Sequence, residues 1–207
     1  EEYSAAEAAE QLREEGAKWE EIDDESKLIA RVVERLMAGD VIGWHQGRFE
    51  WGPRALGHRS IIGNPTSEAM KEIVNTKIKF REPFRPFAPS VLSSRAGEYF
   101  DIDEPERHYP ARFMLLVVPV REEAKAKLPA ITHVDGTGRL QTVFKEQSPR
   151  YHRLIETFGE ASGVPVVLNT SFNLRGEPIV NTAANAYHTF MASEMDILVV
   201  GNFLLTK

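Results

Sequence analysis

The chain has 207 residues, of which 42% are hydrophobic and 9% aromatic, and it contains no cysteine. This composition can bury one core and is not that of a disordered tail, while the lack of cysteine excludes disulfides and thiolate metal sites. The formal net charge of −6 argues against a general nucleic-acid or membrane binder. The N-terminus does not resemble a signal peptide, and no apolar run reaches the roughly 18 residues of a membrane span, so we expect a soluble cytoplasmic protein.

Charge is unevenly distributed along the chain. Residues 1–40 carry thirteen acids against five bases, whereas residues 48–85 carry eight Lys or Arg against four Glu. The acidic stretch is typical of a solvated surface. The basic stretch is different because its cations stand among Gly, Pro and aromatic residues, which makes it a candidate for binding sites.

The first third of the chain predicts a connector followed by alternating elements. Residues 1–25 are predicted to be a helical, acidic connector. "SKLIARVVERLMAG" has one apolar helical stripe, with Ser26 as N-cap and Gly39 as the C-terminal stop. "DVIGWHQG" predicts a short buried strand, and "TSEAMKEIVNTKI" predicts a helix capped by Thr66 or Ser67.

The remaining chain continues the alternation. "FAPSVLSS" and "RFMLLVVPV" have the length of strands, and "AITHVDGTGRLQTVF" predicts a hairpin around residues 135–138. "SPRYHRLIETFGEASG" predicts a helix with Ser148 as cap, Pro149 in first position and Gly163 at its end. "VPVVLNTS", "NTAANAYHTFMAS" and "DILVVGNFLL" predict a strand, a helix and closing strands. The interleaving predicts an α/β domain with a twisted, mixed sheet.

The first motif is "GRFEWGPRALGHRS", residues 47–60, in which Arg48, Arg54 and Arg59 stand among three glycines. Glycine permits close backbone approach, and arginine offers a planar fork for carboxylate or phosphate. The stretch therefore predicts either an anion-binding loop or a structural turn whose arginines pair with acids. It is not a P-loop, because no GxxxxGK[ST] pattern occurs.

The second motif, "KIKFREPFRPFAPS", holds cations between prolines and phenylalanines. Proline fixes the backbone, and we expect Phe84 and Phe87 to be buried anchors, so that Lys79 and Arg85 lose little entropy on binding an anion. A rigid connecting loop with solvated cations is the alternative.

The third motif, "VLNTSFN", places short polar side chains at the end of a predicted strand. Asn169, Thr170, Ser171 and Asn173 would lie where α/β sheets usually bind ligands. A simple side-chain-stabilised turn is the alternative.

The three motifs together resemble a known family. "GRFEWGPRALGHRSI", "REPFRPFAPS" and "LNTSFNLRGEPIV" are similar to the C-terminal region of the carbamoyltransferases typified by the NodU nodulation protein and the antibiotic O-carbamoyltransferases. Family members have an N-terminal actin-like domain with a metal site and a C-terminal domain of YrdC-like fold. The resemblance implies that residues 26–207 form such a YrdC-like domain, an α/β twisted open mixed sheet with flanking helices.

The resemblance also implies a reaction and partners. The YrdC-like domain would take carbamoyl phosphate and ATP and make carbamoyl adenylate, with release of phosphate and pyrophosphate. The actin-like domain of the same protein would then transfer the carbamoyl group to an acceptor hydroxyl. Such chemistry needs several fixed cations in one cleft, usually with Mg²⁺, and little covalent help from protein groups.

Site residues follow from the resemblance position by position. Lys79, Arg85 and Arg139 are expected to be catalytic-cleft cations. Arg54 is expected to bind an anion, and Ser171 and Asn173 to hold the nucleotide or the carbamoyl end. Further binding candidates are Asn169, Thr132, His133, Arg48 and Arg59. No metal site is expected in this part, because its six histidines are scattered.

Two other functions remain open from the sequence. An RNA-binding module is suggested by the basic stretch and by YrdC-like folds that act in transfer-RNA modification, although the net acidity weighs against it. A docking domain without chemistry of its own is the other. The sequence does not identify the acceptor hydroxyl.

Overall fold

The computed structural model describes residues 2–207, which build a nine-stranded sheet with helices on both faces. The strands in chain order are β1 (Glu20–Glu21), β2 (Ile42–His45), β3 (Arg59–Gly63), β4 (Ala88–Leu92), β5 (Leu116–Pro119), β6 (Thr137–Val143), β7 (Val166–Ser171), β8 (Ile197–Val200) and β9 (Phe203–Thr206).

Within residues 2–207, seven α-helical segments accompany the strands, and several of them are short. They are α1 (Ala5–Glu14), α2 (Glu25–Met37), α3 (Met70–Glu72), α4 (Ala96–Tyr99), α5 (Glu122–Lys125), α6 (Pro149–Ser162) and α7 (Ala183–Met191). Helix α3 continues directly as a π-helix, Ile73–Ile78, and 3₁₀ turns occupy Ser93–Arg95, Pro105–Arg107 and Tyr109–Phe113.

The strand order is β1-β9-β8-β2-β3-β7-β4-β6-β5. Only the pairs β2–β8 and β4–β6 are parallel, and the other neighbours are antiparallel. The predicted α/β class with an open mixed sheet and flanking helices is confirmed. None of the helices in residues 2–207 is long and apolar enough to cross a membrane.

Two apolar layers cover the sheet. On one face α2 and α6 pack on each other and on the strands, with Trp44 and Phe158 among the fully buried residues. On the other face α1 and α7 contribute to a larger layer that contains Phe172 and Phe190. Side chains alternate along each strand, so Arg139, Gln141 and Val143 of β6 share the α2/α6 face.

Two predicted helix starts are wrong. Helix α2 is capped by Asp24, whose Oδ1 accepts from the backbone N–H of Ser26 at 2.9 Å, so Ser26 is already inside the helix. The helix predicted from Thr66 begins only at Met70, because Asn64 Oδ1 accepts from both the N–H and the hydroxyl of Thr66 and holds a turn there. Helix α6 does follow Ser148, with Pro149 first and Gly163 in the left-handed region at its end.

The predicted hairpin around residues 135–138 is also wrong. The turn itself exists, since Gly136 N–H donates to His133 O at 2.9 Å with φ of +78°. However, residues 131–134 do not form a strand, and β6 pairs instead with β5 and β4. Partners distant in the sequence determine strand pairing here.

Of the predicted connector, the structure describes residues 2–25, and these pack on the domain. Leu12 of α1 is fully buried in the core, and β1 pairs with β9. Gln11 Oε1 accepts from the backbone N–H groups of Ala183 and Ala184 at 2.9 and 3.4 Å, which satisfies the first turn of α7. A connector role toward another domain stays a prediction.

Removing the Gln11 amide should destabilise the domain measurably. We expect Gln11→Ala to lower the free energy of unfolding by about 1 kcal/mol, because it leaves helix-terminal donors without their acceptor. Glu10→Ala, one residue earlier and exposed, is the control and should change it by less than about 0.5 kcal/mol. Denaturant unfolding would measure both, and equal stabilities would show that α1 contributes no cap.

Candidate anion-binding site

A π-helix shapes the second motif. The π-helix ends at Ile78, and Phe80 then adopts a left-handed conformation with φ of +48°. Lys79, just before this turn, is only 5% exposed, and Arg81, just after it, is partly exposed. Wider helical turns of this kind are frequent at functional sites.

Asn75, which is fully buried, ties this segment together. Its Nδ2 donates to Pro83 O at 3.1 Å and to Arg85 O at 3.0 Å, and its Oδ1 accepts from Arg81 Nε at 2.6 Å. The Arg81 guanidinium also lies 4.8 Å from the centroid of the Phe87 ring. One amide and one ring therefore fix the backbone and the first cation of the loop.

The two phenylalanines of this loop have different roles. Phe87 is 2% exposed and belongs to the core, as expected, but Phe84 is 70% exposed. The prediction that Phe84 is a buried anchor is therefore wrong. Asn75 holds the backbone on both sides of Phe84, so its ring is not needed as an anchor.

Lys79 connects the second and third motifs. Its Nζ donates to Ser171 O at 2.5 Å and to Asn173 O and Oδ1 at 2.8 Å each. Ser171 Oγ donates to the same Asn173 Oδ1 at 2.7 Å. Burial lowers the pKa of Lys79 to about 7. The positive charge of Arg81 contributes to this decrease, and the negative charge of Glu177 opposes it. The ammonium group thus fixes the end of β7 while it is close to losing its proton.

This pKa makes anion binding sensitive to pH. An anion in the pocket favours the ammonium form, so binding above pH about 7 should take up as much as one proton on Lys79, and affinity should fall as pH rises. Sulfate is a suitable probe because it does not titrate in this range. Calorimetry in buffers of different ionisation enthalpy would measure the uptake.

Two lysine variants separate this effect from general electrostatics. Lys79→Met should abolish the proton uptake, whereas Lys77→Met should retain it, because Lys77 is exposed and pairs with Glu194. Proton uptake that survives in Lys79→Met would contradict the assignment.

The motifs meet in a pocket of about 230 Å³. Four cations line it together with the end of β7 and the following turn: Lys79, Arg81, Arg85, Arg175, Ser171, Asn173, Leu174 and Gly176. Arg85 is half-exposed and its Nε pairs with Glu82 at 2.9 Å. The pocket thus contains Lys79, Arg85, Ser171 and Asn173 from among the predicted site residues, and their roles in binding and catalysis stay predictions.

Arg139 and Arg54 extend the positive charge beyond this pocket. Burial, followed by the charge of Arg54, lowers the pKa of Arg139. The pKa of Arg81 is also lowered, mainly by burial and then by the charges of Arg85 and Arg139, while Glu82 acts in the opposite direction. The Nε atoms of Arg54 and Arg139 are buried without a hydrogen-bond partner. Unpaired buried donors next to one another are unfavourable unless an anion satisfies them.

Asn169 supports the loop that carries Arg54. Its Nδ2 donates to Ala55 O at 3.2 Å, to Ser90 Oγ at 3.1 Å and to Gln141 Oε1 at 3.0 Å. Gln141 Nε2 in turn donates to Leu56 O at 2.8 Å. Asn169 is 1% exposed and lies outside the lining of the 230 Å³ pocket, so the structure gives it this supporting position.

The remaining candidates also lie outside this pocket. Arg59 is fully buried and donates to backbone oxygens of Gln46 and Gly47 at 2.6 and 3.2 Å, which makes it part of the framework. Arg48 is exposed and pairs with Glu2, a residue of the N-terminal segment. Thr132 and His133 precede β6. The Thr132 hydroxyl donates to Leu128 O, and His133 lies near Arg139.

No group of three or more His, Asp or Glu side chains that could hold a metal ion occurs in residues 2–207. Asp135 uses its Oδ1 to accept from Thr137 N–H at 3.0 Å and from the Thr137 hydroxyl at 2.7 Å. The Asp135 carboxylate is therefore occupied within its own turn.

Comparison with known proteins identifies the domain. The family described as "Carbamoyltransferase C-terminus" matches residues 33–207, which is most of the chain. The chain belongs to this family. The resemblance seen in its three motifs is thereby confirmed.

Curated relatives agree with this carbamoyltransferase C-terminal domain. The nodulation protein NolNO of Sinorhizobium fredii is 47% identical over 187 residues, covering 90% of this chain and 27% of the relative. The 3'-hydroxymethylcephem-O-carbamoyltransferase of Streptomyces clavuligerus is 36% identical over 200 residues, covering 97% of this chain and 36% of the relative. The chain thus spans about a third of the length of such relatives.

Solved structures establish the fold of the carbamoyltransferase C-terminal domain. Full-length HypF, in a phosphate- and nucleotide-bound form, superposes with a TM-score of 0.59 and 17% identity over 86% of this chain and 25% of that chain. Sua5 of P. abyssi, complexed with L-threonine, superposes with a TM-score of 0.60 and 17% identity, covering 86% of this chain and 48% of that chain. The expected YrdC-like fold is confirmed.

Three residues in or behind the pocket of the carbamoyltransferase C-terminal domain were not predicted from the sequence. Arg81 and Arg175 line it, and Asn75 supports it. The signal for the arginines was their spacing, since Arg81 stands two residues after Lys79 and Arg175 two residues after Asn173. Asn75 had no comparable signal, because nothing in "EIVNTKI" indicates a π-helix.

Proposed function

We propose that this domain makes carbamoyl adenylate from carbamoyl phosphate and ATP. Water would cleave carbamoyl phosphate to carbamate and phosphate. A carbamate oxygen would then attack the α-phosphorus of ATP, forming the new P–O bond as the bond to pyrophosphate breaks. A separate N-terminal actin-like domain of the same protein would pass the carbamoyl group to an acceptor hydroxyl and release AMP.

The observation that carries this proposal is the pocket of four cations beside a polar strand end. Lys79, Arg81, Arg85 and Arg175 surround about 230 Å³, and Arg139 and Arg54 continue the positive charge. Arginine forks bind phosphate oxygens in pairs, and fixed cations stabilise the charge that develops on a leaving pyrophosphate. Six neighbouring cations favour a binding site for anionic ligands over a connecting loop with solvated cations.

Individual roles follow from exposure and hydrogen bonding. Arg85 and Arg175 have exposed guanidinium groups and are suited to hold the terminal phosphates of ATP. Arg139 and Arg54, with buried unpaired Nε donors, are suited to the phosphate of carbamoyl phosphate or the α-phosphate. Lys79 keeps Ser171 and Asn173 in place, and their side chains face the same pocket.

Magnesium would enter with the nucleotide. Mg²⁺ keeps several waters and is usually bound through substrate phosphates and one or two carboxylates, which does not require a protein cluster of three ligands. Its chemistry would be to neutralise charge on the β- and γ-phosphates. The chain's own cations position the same oxygens.

Pyrophosphate release tests the proposal. The domain, incubated with ATP and magnesium, should release pyrophosphate only when carbamoyl phosphate or carbamate is also present. Omission of either substrate is the control. If neither ATP nor pyrophosphate binds in calorimetry, the domain lacks the proposed chemistry and a docking role becomes the better explanation. Steeply salt-dependent RNA binding that survives Arg85→Ala would favour an RNA-binding module instead.

A further inference from the structure

A second cavity opens on the same face of the sheet as Arg139. It has a volume of about 280 Å³ and lies between the loop of the first motif, the 3₁₀ turn at Tyr109–Phe113 and the segment after β6. We refer to it as the aromatic pocket. Its lining includes Arg48, Phe49, Trp51, Arg112, Phe144 and Gln147.

Arg112 supplies a flat cationic surface in this pocket. Its guanidinium carbon lies 3.9 Å from the centroid of Phe144 and 5.4 Å from that of Tyr109. Its Nη2 donates to Glu106 O at 3.3 Å, while its Nε is buried without a partner. None of the ion pairs formed within residues 2–207 involves Arg112. The guanidinium is therefore oriented by rings and not by an acid.

The one carboxylate that lines the aromatic pocket is already used. Glu50 Oε1 accepts from the backbone N–H groups of Leu56, His58 and Arg59 at 2.8, 2.7 and 3.2 Å, which holds the loop in its folded form. Arg48, which also lines the pocket, pairs with Glu2, and the amide of Gln141 is bonded to Leu56, Ser90 and Asn169. The pocket consequently offers rings, the planar cation of Arg112 and the amide side chain of Gln147. These groups suit a flat, neutral, nitrogen-rich ring, because arginine and aromatic planes stack on nucleobases and amides can bond to their edges.

The aromatic pocket adjoins the cations of the anion site through two chain segments. Gln141 follows Arg139 by two residues on the same face of β6, a separation of about 6.6 Å. Leu56, which lines the pocket, follows Arg54 by two residues on the covering loop. A ligand whose phosphates lie at Arg54 and Arg139 can therefore place an attached ring in the aromatic pocket.

We infer that the aromatic pocket binds the purine base of the ATP, with Arg112 as the residue that recognises the ring. This inference rests on the proposed function, because it assumes that ATP is the nucleotide. It assigns base recognition to the turn before β5 and to the covering loop, which the three sequence motifs only partly include.

Trp51 provides a direct signal for the test. It lines the aromatic pocket, is fully exposed to solvent, and differs in this from Trp44, which is fully buried. Quenching of tryptophan fluorescence should report a stacked base, and the Trp51→Phe variant should lose that signal. Inorganic tripolyphosphate carries the phosphates without a base and serves as the matched ligand for titration against ATP by calorimetry.

We expect Arg112→Ala to lower the affinity for ATP about tenfold and to leave the affinity for tripolyphosphate within twofold. Arg107→Ala, at an exposed arginine paired with Glu104, is the control and should change neither. Phe144→Leu, which keeps an apolar side chain but removes the ring, should repeat the loss if Arg112→Ala does not fold. Unchanged ATP affinity, or equal losses for both ligands, would overturn the inference while leaving the proposed function intact. Failure of the unmodified domain to bind either ligand would instead refute both the proposed function and this inference.

Discussion

Phe87→Ala is expected to lower the free energy of unfolding by about 3–5 kcal/mol, the usual cost of truncating a buried ring. Phe87 is 2% exposed, packs in the core and supports the Arg81 guanidinium at 4.8 Å. Its loss therefore leaves a cavity and also frees a cation of the pocket. Denaturant titration would measure the first effect, and sulfate titration the second.

Phe84→Ala is the matched control from the same loop. Its ring is 70% exposed, so we expect a change of less than about 0.5 kcal/mol in unfolding free energy. If the two variants lose equal stability, the difference in burial between the two rings does not hold in solution. The rigidity of the loop would then have to arise from both rings.

Arg85→Ala is expected to have the opposite profile, with a loss of binding and little loss of stability. Removing a charge-assisted contact to phosphate should weaken pyrophosphate binding by about 1.5–3 kcal/mol, roughly ten- to 150-fold. Stability should change little, because the Arg85–Glu82 pair is exposed and such pairs contribute at most about 1 kcal/mol. Calorimetry and thermal unfolding would separate the two quantities.

Arg95→Ala controls for the loss of an exposed ion pair. Arg95 pairs with Glu98 at the same sequence spacing and similar exposure, but it lies outside the residues that line the anion pocket. It should leave pyrophosphate binding unchanged. Arg85→Lys should impair binding, because an ammonium cannot reproduce the planar fork. A wild-type rate of pyrophosphate release in Arg85→Ala would show that the arginine has no part in the reaction.

Periodicity predicted the elements that depend on their own residues. The apolar stripe of α2 and the Ser-Pro start of α6 were sufficient to locate these helices, apart from the cap at Asp24. The buried strand β7 was also predicted, because a run of Val and Leu ends there in polar residues. In each case local preference and tertiary packing agree.

The predictions failed where distant partners decide the conformation. Residues 131–134 have the composition of a strand, yet β6 pairs with β5 and β4, so no hairpin forms. Asn75 gains its importance only because the π-helix brings its amide to Pro83 and Arg85. Neither the wide helical turn nor these backbone contacts leave a pattern in the sequence.

The sequence identified some of the polar residues that line the pocket, but not Asn75, which supports it. Lys79, Ser171 and Asn173 do meet, but the lysine has its hydrogen-bond donors directed to protein oxygens. Sequence motifs indicate which side chains are charged. They do not indicate which charged groups are already bonded within the protein. Arg59 is buried and donates to backbone oxygens, whereas Arg85 is half-exposed in an ion pair at the pocket.

The two outer strands of the sheet bear on how this domain avoids aggregation. An exposed strand edge is a template for another chain, and natural proteins protect it by shortness, charge or proline. One edge here is β1, which is only two glutamates long, and the other is β5, which ends in Pro119 and has just four residues. A second molecule adding its own strand would find only two residues, both acidic, to pair with at the first edge and a missing donor at the second. A nine-stranded sheet can thus remain open at both ends without recruiting neighbours.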